Sequence, residues 1–347
     1  MLYLTTRDHT EVYTAYRTLG EERGADGGYF VPMHLNPLEQ SFINSLKERS
    51  FGENVAEILN YFFNARMDDW DVDSTIGRFP VRLVPMSHRI VFAEVWHNPD
   101  RSYGRIVRNL TGRIRGVQDS ADQPTNWGWM ALRVAGLFGV FGELAKANLA
   151  DANHPVDVAV PTGDFSLPMA AWYARKLGLP IANIVCGCNE NGGVWDLLHH
   201  GELRTDGMPL VTETPEGDVT VAPELERLIY SVAGRGEVKR FLDAWKSGRP
   251  YEPGQAIFED LRRGVYAGVV SSERMDSIIR SVYNTSAYIM DPYSALAYSG
   301  LQDYRTRYSE NRTALVISER CASCFPEIVS ASLGITPEVL VQRLHLD

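Results

Sequence analysis

The residues best suited to chemistry in this chain are four cysteines in two tight pairs, Cys186-Gly187-Cys188 and Cys321-Ala322-Ser323-Cys324. No other cysteine occurs in its 347 residues. Thiolates at C-x-C and C-x-x-C spacing can close a tetrahedral shell around one soft metal ion, zinc or iron. C-x-x-C is also a redox spacing, and free cysteine packs well as a small hydrophobe. Spacing and exclusivity favour the four-cysteine metal site over a redox disulfide or unrelated core thiols. Four protein thiolates leave no open position for water, so a structural role is the default for such a metal.

Each pair must be delivered by an element. Residues 156–160 are an apolar run that predicts a buried strand, 161–164 a tight loop, and 166–177 a helix stopped by Gly178. Residues 181–185 predict the next strand, with the first cysteine pair at its C-terminal end. A last strand over 313–318 delivers the second pair in the same way. Ligands of open α/β sheets gather at that edge, so the two pairs are expected to converge there. Elsewhere, helical spacing marks 51–67 and 127–147, strands are expected over 81–84 and 90–95, and Asp26-Gly27-Gly28 is a turn signal.

Composition sets the outer bounds. With 44% apolar and 22% charged residues the chain is expected to be a soluble globular protein with a sizeable core. No run of about 18 apolar residues predicts a membrane span, and the first residues do not resemble a signal peptide, so a reducing cytoplasm is expected. There, paired cysteines are more often metal ligands or redox groups than staples. A net charge of −10 argues against a nucleic-acid-binding body. Arg101, Arg105, Arg108, Arg113 and Arg115 form a local exception, either a solvated helix face or an anion site.

Several motifs, in order along the chain, resemble those of threonine synthase, a fold-type-II enzyme that uses pyridoxal phosphate (PLP). They are Tyr3-Leu4-Thr5-Thr6-Arg7, Asp26-Gly27-Gly28-Tyr29-Phe30-Val31-Pro32, Asn126-Trp127, Pro161-Thr162-Gly163-Asp164-Phe165, Asn189-Glu190-Asn191, Glu226-Arg227-Leu228, Asp291-Pro292 and Phe325-Pro326-Glu327. The resemblance implies an α/β fold of the tryptophan synthase β type, a sheet flanked by helices. It also implies an N-terminal α+β region over 1–95 and an α/β core over 96–347. Thr162, Gly163 and Asp164 would be the vestige of its phosphate loop.

The departures from the family pattern are informative. The run that corresponds to the family's Schiff-base lysine motif begins at His97, and the lysine position is Gly104, followed by Arg105. Without an amine there is no internal aldimine, so PLP is not expected. Asp164 replaces an asparagine, and a carboxylate aimed at a phosphate repels it, unless Asp164 turns away to cap a helix. Only residues 106–125 bridge the place of the family's mobile subdomain, which implies a truncated second subdomain. The cysteines fall on segments that border the PLP ring in the family. Asn189, Glu190 and Asn191 would line the same cavity, with Glu190 a candidate general base or a loop-stabilising carboxylate. His97 is a candidate catalytic or structural histidine. His199 and His200 read as the end of a surface helix.

The expectation is therefore a PLP-independent, threonine-synthase-like metalloprotein with zinc or iron in a vacated cofactor pocket, acting as an enzyme on an amino-acid-derived ligand. The alternatives are a non-catalytic pseudoenzyme or scaffold that meets a protein partner, and a PLP-dependent threonine synthase. Neither a nucleic acid nor a membrane is expected as partner.

Overall fold

Alternating burial along the central strands sets the architecture. The computed structural model describes residues 1–76, 81–87, 89–95, 111, 112, 114 and 125–345. Among the described residues the strands are β1 (Leu2–Thr5), β2 (Tyr13–Thr14), β3 (Phe30–Pro32), β4 (Arg82–Met86), β5 (Ile90–Glu94), β6 (Val156–Pro161), β7 (Ile181–Cys188), β8 (Val265–Val269) and β9 (Ala314–Ser318). The first three form a small antiparallel sheet in the order β2-β1-β3. The rest form one sheet in the order β4-β5-β9-β6-β7-β8, with β4 antiparallel to β5 and every other pairing parallel.

Both faces of the large sheet are covered. Val91, Ala93, Val158, Val160, Ile184, Cys186, Cys188, Leu315 and Ile317 point into one apolar core, while Phe92, Ala159, Val185 and Val316 point into the other. Period-two alternation between two apolar faces makes such strands continuously hydrophobic in sequence. The first face is packed by the Ser166–Lys176 helix, against which the Trp127–Lys146 helix lies, and the second by the Pro292–Tyr308 helix. The chain is thus a mixed α/β protein with a central sheet flanked by helices.

The Trp127–Lys146 helix is long and apolar enough to cross a membrane by length and composition, yet 72% of that stretch is buried inside the protein, as suits a core helix. Most expected elements form near their expected limits. The exceptions are the helix from Phe51, which stops at Phe63 because Asn64 turns left-handed, and β7, which runs on through both cysteines. The bridge over 106–125 and the arginines at 101, 105, 108, 113 and 115 fall largely or wholly outside the described residues.

The strand order defines where a site can form. From β6 the chain proceeds outward through β7 to β8, then returns so that β9 lies on the opposite side of β6. The crevice outside the C-terminal ends of β6 and β9 is therefore a topological switch point, where loops diverge and leave space.

Candidate functional site

The loop after β6 turns on a bulky residue in an unusual conformation. Phe165 adopts φ 71°, ψ 9° and is 1% exposed. A buried aromatic side chain held left-handed is costly and persists only where packing over-determines it. Asp164 takes one of the N–H groups at the start of the Ser166–Lys176 helix. Its Oδ1 accepts from the Ser166 amide at 2.9 Å and from the Ser166 hydroxyl. The carboxylate therefore lies at the helix terminus, where it uses one of the amides that could otherwise serve an anion. Thr162 is also engaged, donating its hydroxyl to Cys188 Sγ at 2.9 Å.

A chain of contacts spans the switch point from this loop. Arg133 Nη1 donates to Ser166 Oγ at 2.9 Å, and its Nε lies 3.4 Å from Glu319 Oε1 in the loop after β9. The next residue, Arg320, pairs with Glu216 and lies over the rings of Tyr293 at 5.0 Å and Phe325 at 5.9 Å. These groups, with Trp129, Cys324 and Asp164, line a cavity of about 810 Å³. Asp291, also on its wall, is buried. Burial raises its pKa, while bonds from Ser294 and Ser318 oppose the rise. Its role is local: it caps the Pro292–Tyr308 helix by accepting from the Tyr293 and Ser294 amides. Asp followed by Pro is a natural start for a helix.

The structure gives the expected four-cysteine zinc or iron shell no support. Among the described residues no group of three or more His, Cys, Asp or Glu side chains could hold a metal ion. Cys186 and Cys188 belong to β7, and Cys321 follows β9, with β6 lying between those strands. Two strand spacings are about 9.6 Å, so the strands themselves do not bring the pairs together. The first pair is core. Cys186 is 0% and Cys188 3% exposed. Burial and the neighbouring Cys188 push the Cys186 thiol well up, and burial pushes Cys188 up to about 11 against the pull of the Thr162 hydroxyl.

The glycine between them has its own reason. A Cβ on Gly187 would lie 2.1 Å from the Leu296 carbonyl oxygen. Only glycine lets the Pro292–Tyr308 helix lie so close to the sheet. Cys-Gly-Cys is thus a packing motif: glycine toward one helix, two small thiols toward the opposite core.

The remaining candidates are dispersed. Glu190 Oε1 accepts from the Ser272 amide and hydroxyl at the start of the Ser272–Ser286 helix, so it stabilises a loop and is not on the cavity wall. Asn189 Nδ2 donates to Thr212, Thr214 and Asp218, and its Oδ1 accepts from Asn191. Asn191 in turn holds Leu210 through both its carbonyl and its amide. With Thr162, Gly163 and Cys188 these asparagines line a separate void of about 20 Å³, room for one water. His97 and Gly104 lie outside the described residues. His199 stacks on Trp195 at 5.0 Å, and burial lowers its pKa. Sequence reasoning missed Arg133, Glu319, Arg320 and Glu216, which carry no motif and meet only through the fold.

Residues 2–78 match the family model described as threonine synthase N terminus. The structure superposes on a PLP-bound threonine synthase from Brucella melitensis with a TM-score of 0.84, covering 97% of this chain and 92% of that one at 18% identity. Yeast threonine synthase gives 0.82 at 18% identity. The chain is threonine-synthase-like in fold. In sequence it is 30% identical over 191 residues to human threonine synthase-like 1, a stretch of 54% of this chain and 26% of that protein. It is 26% identical over 232 residues to threonine synthase from Pseudomonas aeruginosa, 65% of this chain and 47% of that protein. The matched stretches thus span less than half of these relatives.

The fold therefore raises the question of PLP, and the residues present answer poorly to it. All five lysines, Lys47, Lys146, Lys176, Lys239 and Lys246, are exposed, and none lines the cavity at the switch point. The helix terminus that would cradle a phosphate already holds the Asp164 carboxylate.

Proposed function

We propose that this threonine-synthase-like chain works without a PLP Schiff base and binds an amino-acid-derived ligand with a free ammonium group in the cavity between β6 and β9. The supporting observation is the set of groups around that cavity. No lysine reaches it. Its described wall carries Arg133 and Arg320 against Asp164, Glu216, Glu319 and Asp291. Acidic groups outnumber basic ones, which disfavours a phosphate dianion and favours a cationic head. The rings of Trp129, Tyr293 and Phe325 add apolar and cation–π surface for that head. Arg133 and Arg320, each paired with a wall carboxylate, would exchange that partner for a carboxylate at the other end of the ligand.

A second reading, binding without turnover, is favoured by the ties on the polar candidates. Glu190 and Asn191 are both held in loop hydrogen bonds away from this cavity. In that reading the chain is a ligand-binding scaffold of enzyme ancestry.

The test is calorimetric titration with L-homoserine, L-threonine and PLP. Heat is expected from the amino acids, reduced at least tenfold in affinity by Arg133→Ala, and PLP is expected to leave no aldimine absorbance after gel filtration. A stoichiometric yellow adduct that resists gel filtration and maps to one lysine would overturn the proposal.

A further inference from the structure

The second cysteine pair remains without a role once the four-sulfur shell is set aside, and its placement differs from that of the first. We infer that Cys321 and Cys324 form a redox-active dithiol, an oxidation site that closes to an intramolecular disulfide at the mouth of the switch-point cavity. Residues Ala322–Cys324 form a 3₁₀ turn, and the Cys324 amide donates to the Cys321 carbonyl at 2.9 Å. A turn closed by such a bond keeps its end Cα atoms within about 7 Å, and disulfides bridge Cα atoms about 4.4–6.8 Å apart. The turn is anchored on both sides, by β9 before it and by the Pro326–Leu333 helix after it. Phe325, next to it, packs on Tyr293 with ring centroids 5.6 Å apart. The pair is therefore held near bridging distance by the backbone.

Access separates the two pairs. Cys324 is exposed and lines the cavity, while Cys321 is 7% exposed. An attacking thiol with a shielded resolving partner is the arrangement that thiol–disulfide exchange requires. Cys186 and Cys188 are sealed in the core, where no reagent reaches and burial opposes the thiolate.

The oxidant is a small disulfide of the glutathione class. The Cys324 thiolate attacks one of its sulfurs, forming a mixed disulfide and releasing one glutathione thiolate. The Cys321 thiolate then attacks Cys324 Sγ, closing the protein disulfide and releasing the second glutathione. Two protons and two electrons leave the pair, and the small disulfide is reduced to two thiols.

The experiment counts thiols in native protein after incubation with oxidised glutathione, then maps peptides without reduction. Two of the four thiols are expected to be lost, with Cys321 linked to Cys324. Cys321→Ser is expected to halt at a glutathione adduct on Cys324, and Cys324→Ser to keep all three of its thiols. Circular dichroism shows whether Cys321→Ser folds; if it does not, the wild-type map and the exposed-site variant still decide. Retention of all four wild-type thiols, a wild-type product that stays a mixed disulfide, or a linkage through Cys186 or Cys188 would each sink the inference.

Discussion

Asp164 puts a carboxylate beside a helix start. Helix termini attract negative charge because their amides are unpaired and their dipoles align. Here the charge is supplied by the loop itself, bonded to the Ser166 amide and hydroxyl. Asp164→Asn keeps an acceptor oxygen and removes the charge. Affinity for inorganic phosphate, measured by titration, should rise about tenfold, equivalent to about 1.4 kcal/mol; no gain would mean the carboxylate is not what excludes phosphate. Glu190 is a residue-scale contrast. Its partner is the Ser272 amide, not the cavity. Glu190→Gln should therefore cost about 0.5–1.5 kcal/mol in urea denaturation while ligand titrations stay unchanged.

At the scale of elements, β7 and the Pro292–Tyr308 helix explain why the Cys-Gly-Cys motif exists. Gly187 and Gly300 meet backbone to backbone, since a Cβ on Gly300 would lie 3.2 Å from the Gly187 Cα. Gly187→Ala forces the helix off the sheet and should cost at least about 1–3 kcal/mol. Cys188→Ala trims one buried sulfur and should cost about 1 kcal/mol, with no metal lost on elemental analysis. A larger penalty for the cysteine than for the glycine would contradict the packing account. The same elements show why two strand-end motifs need not meet. Each lies at the C-terminal edge, as alternation and strand length predict, but β6 stands between them.

Across the whole molecule, the motifs that resemble threonine synthase touch one another. Glu226 bonds Thr6 and Arg7 of the N-terminal motif. Arg227 donates to the carbonyls of Phe30 and Thr125 and pairs with Glu224, all buried. Trp127 donates to the Tyr3 hydroxyl at 3.0 Å. They fasten the small sheet to the body of the chain. Arg227→Ala would strand the Glu224 carboxylate and two carbonyls without water, and should cost about 3–5 kcal/mol in chemical denaturation. Glu224 also makes stability depend on pH. Burial raises its pKa from 4.5 to about 7, against the pull of Arg227. The folded chain then holds a proton that the unfolded chain releases, so this contribution is present below about pH 4.5 and lost as pH rises through about 7. Glu224→Gln should flatten the slope of denaturation midpoint against pH in that window; an unchanged slope would place the titration elsewhere.

Short apolar runs and loop signals determined the parallel strands, because strands buried on both faces must be largely apolar throughout. The helix start at Asp291-Pro292 went unread in the sequence, where the pair stood only as a family motif, although its capping acts within one turn. Strand order was not legible, as it depends on which side of β6 the last strand returns to, and no local pattern encodes that choice. It decided that the cysteine pairs stay apart. It also decided that Arg133, Glu216 and the adjacent pair Glu319 and Arg320, from three distant stretches of chain, share one cavity wall. Spacing states which ligands two cysteines could share within one pair; only tertiary structure places one pair in a sealed core and the other at the cavity mouth.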